Sequence, residues 1–204
     1  FRNCVNLTGS IIIPEGVTRI GPSAFLWCNS LTGSLSLPTT LEYIGGGGAV
    51  DIGGAFNGCH FNCELKLPNN LKYIGHYVFA SNPGYYGNLV LPEKLEYIGD
   101  NAFSEDYNLT GSLKIPQGVK AINQNAFGFT GFNGTLQLHD GITSINQGAF
   151  NNVPLKGELN LPKNLTSVGE SAFNGCDFSG VLKLPSGLVS IGRNAFAGNW
   201  RLMG

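Results

Sequence analysis

The stretch L-V-L-P-E-K-L-E-Y-I-G-D-N-A-F, residues 89 to 103, decides the fold because versions of it recur along the whole 204-residue chain. Its final phenylalanine is the most regular marker, and successive copies lie 31, 23, 24, 24, 23, 23 and 23 residues apart. A period of about 20 to 50 residues is typical of a solenoid, in which each repeat is one lap stacked on the next. We call these residues the phenylalanine column: Phe25, Phe56, Phe79, Phe103, Phe127, Phe150, Phe173 and Phe196.

Each repeat contains an L-x-L segment that is usually followed by proline, as in residues 89 to 92. The alternation predicts a strand with two inward residues and one outward residue between them. Proline then ends the strand, because it has no N–H for the ladder. One full lap separates successive strands, so neighbours should be parallel. The outward positions form what we call the first-face row: Ile12, Ser36, Lys66, Val90, Lys114, Gln137, Asn160 and Lys183.

A second apolar segment, such as residues 95 to 98, predicts a strand or extended stretch on the opposite side of the lap. Pro22, Asp100 and Glu170 then favour one turn of helix before the phenylalanine. A lap of about 23 residues cannot bury its own apolar side chains, so stacked laps must form the core. We therefore predict one elongated, mostly β array over residues 1–204, with about eight repeats of 23–24 residues, parallel strands and short helical turns.

Both ends of the sequence fall inside a repeat. Residues 1 to 7 match residues 25 to 31 position for position, and residues 202 to 204 match the beginning of another repeat. Solenoids normally carry atypical polar caps at their ends, and the pattern shows none. We expect the sequence to be part of a longer array.

Composition limits the class of partner. Charged residues make up 12% of the chain and the formal net charge is -1. Nucleic acids are held mainly by a surplus of lysine and arginine, so the sequence does not favour them. No apolar run approaches the roughly 20 residues of a membrane span. We expect a protein partner, with neither nucleic acid nor a transmembrane segment.

The cysteines and histidines do not predict a reactive site. Four of the five cysteines follow a phenylalanine by three residues, where other repeats carry Asn, Asp, Thr or Val, which indicates a structural corner. A straight column of thiols cannot surround a metal tetrahedrally, and the three histidines occupy different places in the lap. We expect no catalytic residue, metal or cofactor, and mostly buried free thiols. A disulfide between Cys59 and Cys63 remains an alternative.

Tyrosine repeats at one position of the second segment. Tyr43, Tyr73 and Tyr97 occupy it in three consecutive repeats, and we call them the tyrosine column. Tyrosine is enriched at protein interfaces, so these side chains could form a contact patch or could equally fill space over the opposite sheet. A separate insertion near residues 45 to 52 predicts a protruding contact loop or a tolerated bulge.

The full pattern L-x-L-P-x-x-L-x-x-I-G-x-x-A-F-x-x-C resembles the leucine-rich repeats of the BspA-like, or Treponema pallidum, type. The resemblance covers essentially the whole chain. Departures are His139 in place of proline, Cys63 in place of glycine, and the insertion. It implies a right-handed leucine-rich-repeat superhelix and surface or secreted proteins of host-associated bacteria and some protozoan parasites, several of them adhesins.

Three functions follow from these observations, in decreasing order of support. The first is a non-enzymatic cell-surface or secreted module that binds or adheres to a protein ligand, such as host matrix or a host-cell surface, through an extended face. The second is a spacer or stalk that presents another domain, and the third is an enzyme. Candidate partner-binding residues are Lys66, Val90, Lys114, Gln137, Asn160, Lys183, Tyr43, Tyr73 and Tyr97.

Overall fold

The chain forms a parallel-strand β-solenoid of about eight laps in the computed structural model, which describes residues 1–46 and 53–204. Ten short strands lie on the first side of the laps and eight on the second. The first-side strands are β1 (Ile11–Ile12), β3 (Leu35–Ser36), β5 (Cys63–Glu64), β7 (Tyr85–Asn88), β9 (Leu109–Thr110), β10 (Leu113–Lys114), β12 (Leu136–Gln137), β14 (Lys156–Glu158), β16 (Asp177–Val181) and β18 (Arg201–Met203). The second-side strands are β2 (Arg19–Ile20), β4 (Tyr43–Ile44), β6 (Tyr73–Ile74), β8 (Tyr97–Ile98), β11 (Ala121–Ile122), β13 (Ser144–Ile145), β15 (Ser167–Val168) and β17 (Ser190–Ile191).

Every strand pairing among the described residues is parallel and joins neighbouring laps, as predicted. The second-side pairs, β1-β3 and β10-β12 join equivalent positions of the repeat, whereas β5-β7, β7-β9, β14-β16 and β16-β18 are shifted, so that Gly87 pairs with Leu109 and not with Gly111. On the second side the strands form two four-stranded sheets, β2-β4-β6-β8 and β11-β13-β15-β17. On the first side they form smaller sheets, β1-β3, β5-β7-β9, β10-β12 and β14-β16-β18. Several first-side strands begin before the L-x-L segment, so the predicted strand position is right for β1, β3, β10 and β12 only.

The predicted alternation of the L-x-L segment is confirmed by burial. In the fifth repeat Leu113 and Ile115 are buried while Lys114 between them is exposed. The second side alternates in the same way, because Ile98 is buried and Tyr97 beside it is only half-buried. Both sides therefore direct apolar side chains into a shared interior and leave one row per side for contact.

The phenylalanine column is the centre of the core. Its members from Phe56 to Phe173 are fully buried, and neighbouring rings stack with centroids 5.3 to 5.9 Å apart. In four laps a second ring meets the column edge-on at 6.0 to 6.2 Å. Aromatic pairs in these two arrangements are favourable beyond the area that they bury. The four additional rings belong to Phe61, Tyr85, Phe132 and Phe178.

The predicted short helical turn before each phenylalanine is wrong, since the described residues contain turns there and no helix. An α-helix requires each N–H to donate to the carbonyl four residues earlier. Here alternate N–H groups donate instead to carbonyls of the next lap, as at Asn101, Phe103 and Glu105. Asn101 and Glu105 also have φ of 55° and 67°, in the left-handed region. Hydrogen bonding between laps therefore replaces the local helix.

Laps approach one another closely at the corner that follows each second-side strand, where two laps have Asn123 or Asn146 and the others have glycine. A Cβ added to Gly75 would overlap the backbone of Gly46 in the preceding lap, whereas one added to Gly21 meets nothing within 4 Å. The glycines at this corner are therefore tightly packed wherever a preceding lap is stacked against them. No helix long and apolar enough to cross a membrane occurs in residues 1–46 and 53–204.

Candidate binding faces

The first-face row lies where the sequence predicts it, with all eight side chains exposed. Parallel pairing aligns its members from lap to lap, as Ile12 with Ser36 and Lys114 with Gln137. Val90 is 69% exposed, so an apolar side chain stands unprotected among polar ones. The row is therefore a regular surface of mixed character.

Two lysines of the first-face row are paired with acidic neighbours at the surface. Lys114 Nζ lies 2.6 Å from Glu93 Oε1, and Lys66 Nζ lies 3.6 Å from Glu64 Oε2. All four side chains are more than half exposed. Exposed pairs of this kind contribute roughly 0 to 1 kcal/mol to stability, so both lysines can be redirected toward a partner at little cost.

Shallow depressions run between neighbouring laps of the same face. One is lined by Glu64, Lys66, Asn88, Val90 and Glu93. Two more lie between other pairs of laps, where Tyr86 lines one and Lys183 lines the other. Four of the six candidate first-face residues line these depressions, Lys66 and Val90 in one and Asn160 and Lys183 in another. Lys114 contacts Glu93 at the edge of the first of these, and Gln137 lies in register beside Lys114.

Tyr86 is a surface residue that sequence reasoning undervalued. It is 47% exposed and pairs in register with Glu64, next to the depression that also contains Lys66. In the sequence Tyr86 looks like an isolated surface aromatic residue, because other repeats have no aromatic residue at its position. Its double Tyr-Tyr context, with Tyr85 buried and Tyr86 outward, is the signal that could have identified it.

The tyrosine column points away from the core and covers the outer face of the second-side sheet. Tyr43, Tyr73 and Tyr97 are in register, and successive ring centroids lie 4.6 Å apart in stacked geometry. Each ring therefore shields the next, and all three are half-buried. Burial, followed by the neighbouring tyrosine, raises the pKa of both Tyr73 and Tyr97.

Both ends of the tyrosine column have polar neighbours. The Arg19 guanidinium carbon lies 3.9 Å from the centroid of the Tyr43 ring, a cation–π contact. At the other end the Tyr97 hydroxyl is 3.3 Å from His76 Nε2, and His76 Nδ1 accepts a hydrogen bond from the Asp100 N–H at 3.0 Å. The column is thereby held at a fixed position on the second side.

The side chains three residues after each phenylalanine form a second interior column, which we call the corner column. Most of its members donate a hydrogen bond of 2.7 to 3.2 Å to a phenylalanine carbonyl of the same or the preceding lap. This confirms the structural role predicted for the corner. The donors are Cys28, Cys59, Asn82, Thr130, Cys176 and Asn199.

Asp106 occupies the corner column but has no proton to donate when it is ionised. It is fully buried, and burial raises its pKa well above the usual value. Its Oδ1 accepts a hydrogen bond from the Asn82 N–H at 2.9 Å. Its Oδ2 has no partner among the described residues, and the same holds for Asn82 Oδ1 and the Tyr85 hydroxyl. A neutral, protonated carboxyl fits this surrounding best.

The buried cysteines of the corner column do not have the properties of nucleophiles. All five are free thiols, so the alternative Cys59–Cys63 disulfide is not formed. Burial raises the pKa of Cys59 and of Cys176 to about 12, whereas a reactive cysteine requires a lowered pKa. These thiols act as small hydrophobic donors within the corner column.

The histidines stay in separate places. His60 is exposed, His76 contacts Asp100, and His139 Nε2 lies 2.9 Å from the Pro116 carbonyl. In the part of the chain that the structure describes, no three His, Cys, Asp or Glu side chains converge as metal ligands. The insertion predicted near residues 45 to 52 lies largely in positions 47 to 52, outside the described residues.

Comparisons with known proteins agree with this architecture. The family model "BspA type Leucine rich repeat region" matches residues 1–133, 51–154 and 129–203, in six copies. A leucine rich cell surface protein from Faecalibacterium prausnitzii A2-165 is similar in structure, with a TM-score of 0.51 and 23% identity over 99% of this chain and 67% of that chain.

A second solved structure has the same fold. It is a leucine-rich repeat protein from Bacteroides ovatus ATCC 8483, with a TM-score of 0.51 and 22% identity over 99% of this chain and 67% of that chain. At these identities the likeness concerns the fold. The search of curated proteins finds no match.

Proposed function

Because the chain belongs to the BspA-type leucine-rich repeat family, we propose that it is a non-enzymatic protein-binding module of a bacterial cell surface. The observation that carries the proposal is the first face, where Lys66 and Val90 of neighbouring laps line a depression together with acidic side chains. Solenoids use such extended surfaces to bind partners. The cell-surface name of one similar structure supports the location.

The first face has the composition of a protein-binding surface. Tyr86 and Val90 supply exposed apolar area, and Lys66, Lys114 and Lys183 supply cations that point outward. Tyrosine forms many of the energetically dominant contacts in interfaces. Charged rims mainly determine association rate and partner choice. A host matrix protein or host-cell surface protein with an acidic, partly apolar epitope matches this face.

Binding to a panel of immobilised host matrix proteins and to intact host cells tests the proposal. We expect saturable binding to at least one of them, and the double variant Lys66→Glu/Lys114→Glu should weaken it about tenfold or more, which corresponds to about 1.4 kcal/mol. The matched control Arg2→Glu/Arg193→Glu reverses two exposed charges that lie at the phenylalanine turns, away from the first-face row, and should leave binding unchanged. Thermal melting checks that all variants are folded.

Two results would contradict the proposal. Absence of saturable binding to every matrix protein and cell type would remove its basis and favour the spacer function. Equal losses in the first-face variant and in the control variant would show that binding follows net charge and does not involve the groove.

A further inference from the structure

The tyrosine column ends abruptly at Tyr97. Its ring stacks on Tyr73 on one side, and β8 is the last strand of its sheet. The next lap lies directly alongside, because Asn123 Nδ2 donates to the Ile98 carbonyl at 2.7 Å. That lap has Ala121 where the preceding ones have tyrosine. The Ala121 methyl group is much smaller than a tyrosine ring, so the position next to the outer face of the Tyr97 ring is left unfilled by a side chain of this row.

We propose that the outer face of Tyr97, above Ala121, is a docking site for an arginine side chain of the protein partner. The proposal rests on the protein-binding function above and assigns a partner chemistry to the second side of the solenoid. A guanidinium group is planar and stacks on aromatic faces while its N–H groups remain free for carboxylates. It would continue the column as one further planar layer.

The chain itself contains the proposed arrangement at the opposite end of the same column. Arg19 caps the Tyr43 ring at 3.9 Å, one lap before the stack begins. The column is a row of equivalent positions, so Tyr97 offers a ring face like the one that Arg19 covers on Tyr43. Among the described residues, the Arg19–Tyr43 pair is the cation–π contact that occurs, and no cationic side chain lies over the Tyr97 ring.

Acidic groups beside Tyr97 suit a cation. Asp100 is partly exposed; its Oδ1 accepts from the Gln124 N–H at 3.0 Å, and its Oδ2 lies 3.2 Å from His76 Nδ1. Each carboxylate oxygen can accept a further hydrogen bond. Glu96, the residue before Tyr97, is also exposed. The neighbouring cation, Lys120, is turned away, since its Nζ donates to the Gln117 carbonyl at 2.9 Å.

The Tyr97 ring is also held in place before a partner arrives. Stacking on Tyr73 fixes one face, and the hydroxyl contact with His76 fixes the tip. A rigid platform loses little conformational entropy on binding. Contact with arginine should therefore require little rearrangement of the solenoid.

Tyrosine-ring NMR with a defined probe tests the inference. The probe is the peptide acetyl-Gly-Arg-Gly-Arg-Gly-amide, and the same peptide with lysine in place of arginine serves as the chemical control. We expect saturable shifts of the Tyr97 ring signals with the arginine peptide, and upfield shifts of its δ-methylene protons. The lysine peptide should bind more weakly, because an ammonium group does not stack.

Two matched variants separate stacking from charge. Ala121→Arg places a guanidinium on the Tyr97 face and should weaken peptide binding about tenfold. Ser167→Arg adds the same charge two laps beyond Ala121, about 14 Å from the Tyr97 lap at ~4.8 Å per lap, and should change binding less than about twofold. Tyr97→Ala should also abolish the shifts, which covers the case in which Ala121→Arg fails to fold.

The inference is overturned if Tyr97 shows no saturable shift, if both arginine variants weaken binding equally, or if the lysine peptide binds as tightly as the arginine peptide. Saturable Tyr97 shifts with a neutral oligosaccharide and none with the arginine peptide would likewise overturn it. The titration uses no matrix protein. Its failure therefore leaves the result for the first face unaffected, and the reverse also holds.

Discussion

Replacing Asp106 by asparagine should stabilise the folded protein, and the gain should grow as the pH rises. The native side chain is fully buried in a column whose other polar members donate hydrogen bonds to phenylalanine carbonyls. An asparagine amide supplies that donor without a titrating proton, and its carbonyl can still accept from the Asn82 N–H. The substitution keeps the shape of the side chain and removes the cost of keeping a carboxyl neutral.

The magnitude follows from proton linkage. Burial raises the pKa of Asp106 above its unfolded value of about 3.9, so the folded chain binds a proton that the unfolded chain releases. The stability due to this proton is fully present below the unfolded pKa and is lost as pH rises toward the folded pKa. The loss is about 1.36 kcal/mol per pH unit while the native group stays protonated, or at most about 2.7 kcal/mol from pH 5 to pH 7.

Urea denaturation of the wild type and of Asp106→Asn across this pH range measures the effect. The difference in the free energy of unfolding should increase steadily with pH. Asp140→Asn is the contrasting control, because hydrogen bonds from Lys163 lower the pKa of Asp140. That variant should lose stability at neutral pH and lose less as the solution is acidified. A pH-independent difference for Asp106→Asn, or a variant less stable than the wild type at pH 7, would refute the reasoning.

Three further perturbations test the packing. Phe127→Ala removes a fully buried ring of the phenylalanine column and should cost about 3–5 kcal/mol in urea melts, and a loss below about 1 kcal/mol would contradict a buried column. Gly75→Ala should cost about 1–3 kcal/mol by overlap with the preceding lap, whereas Gly21→Ala, at the same corner but in open space, should be neutral or slightly stabilising. Iodoacetamide at mildly alkaline pH should modify exposed Cys4 well before Cys59 and Cys176, whose pKa is raised to about 12, and mass spectrometry of the native protein would show equal rates if these thiols were accessible.

Much of the fold could be predicted because every lap faces the same packing problem. The residues that repeat, such as the phenylalanine column and the inward leucines, pack against the equivalent residue of the lap before and of the lap after. A period of 23 or 24 residues therefore reports the stacking directly. The same argument placed the first-face row on the surface, since inward and outward positions alternate along a strand, but it did not decide between a contact patch and filler for the tyrosine column.

Local sequence preferences gave no reason to reject the predicted helical turn. Residues such as Asp100 suit the first turn of a helix, yet alternate N–H groups at this corner find carbonyl partners in the next lap. Those partners lie 23 residues or so along the chain, beyond any local window. The cost of left-handed backbone at Asn101 and Glu105 is offset by these hydrogen bonds between laps.

The sequence by itself determined the repeat, the parallel stacking, the buried aromatic column and the list of outward residues, because periodicity records which positions share one environment. Only the tertiary structure decided how those positions act together. It stacked three tyrosines with Arg19 at one end, placed small Ala121 beside the outer face of Tyr97, and brought Tyr86 close to Lys66. It also buried Asp106 with one carboxyl oxygen that has no partner among the described residues. These contacts join residues of different laps. Their distances are set when the laps stack, so they cannot be read from the sequence of one repeat.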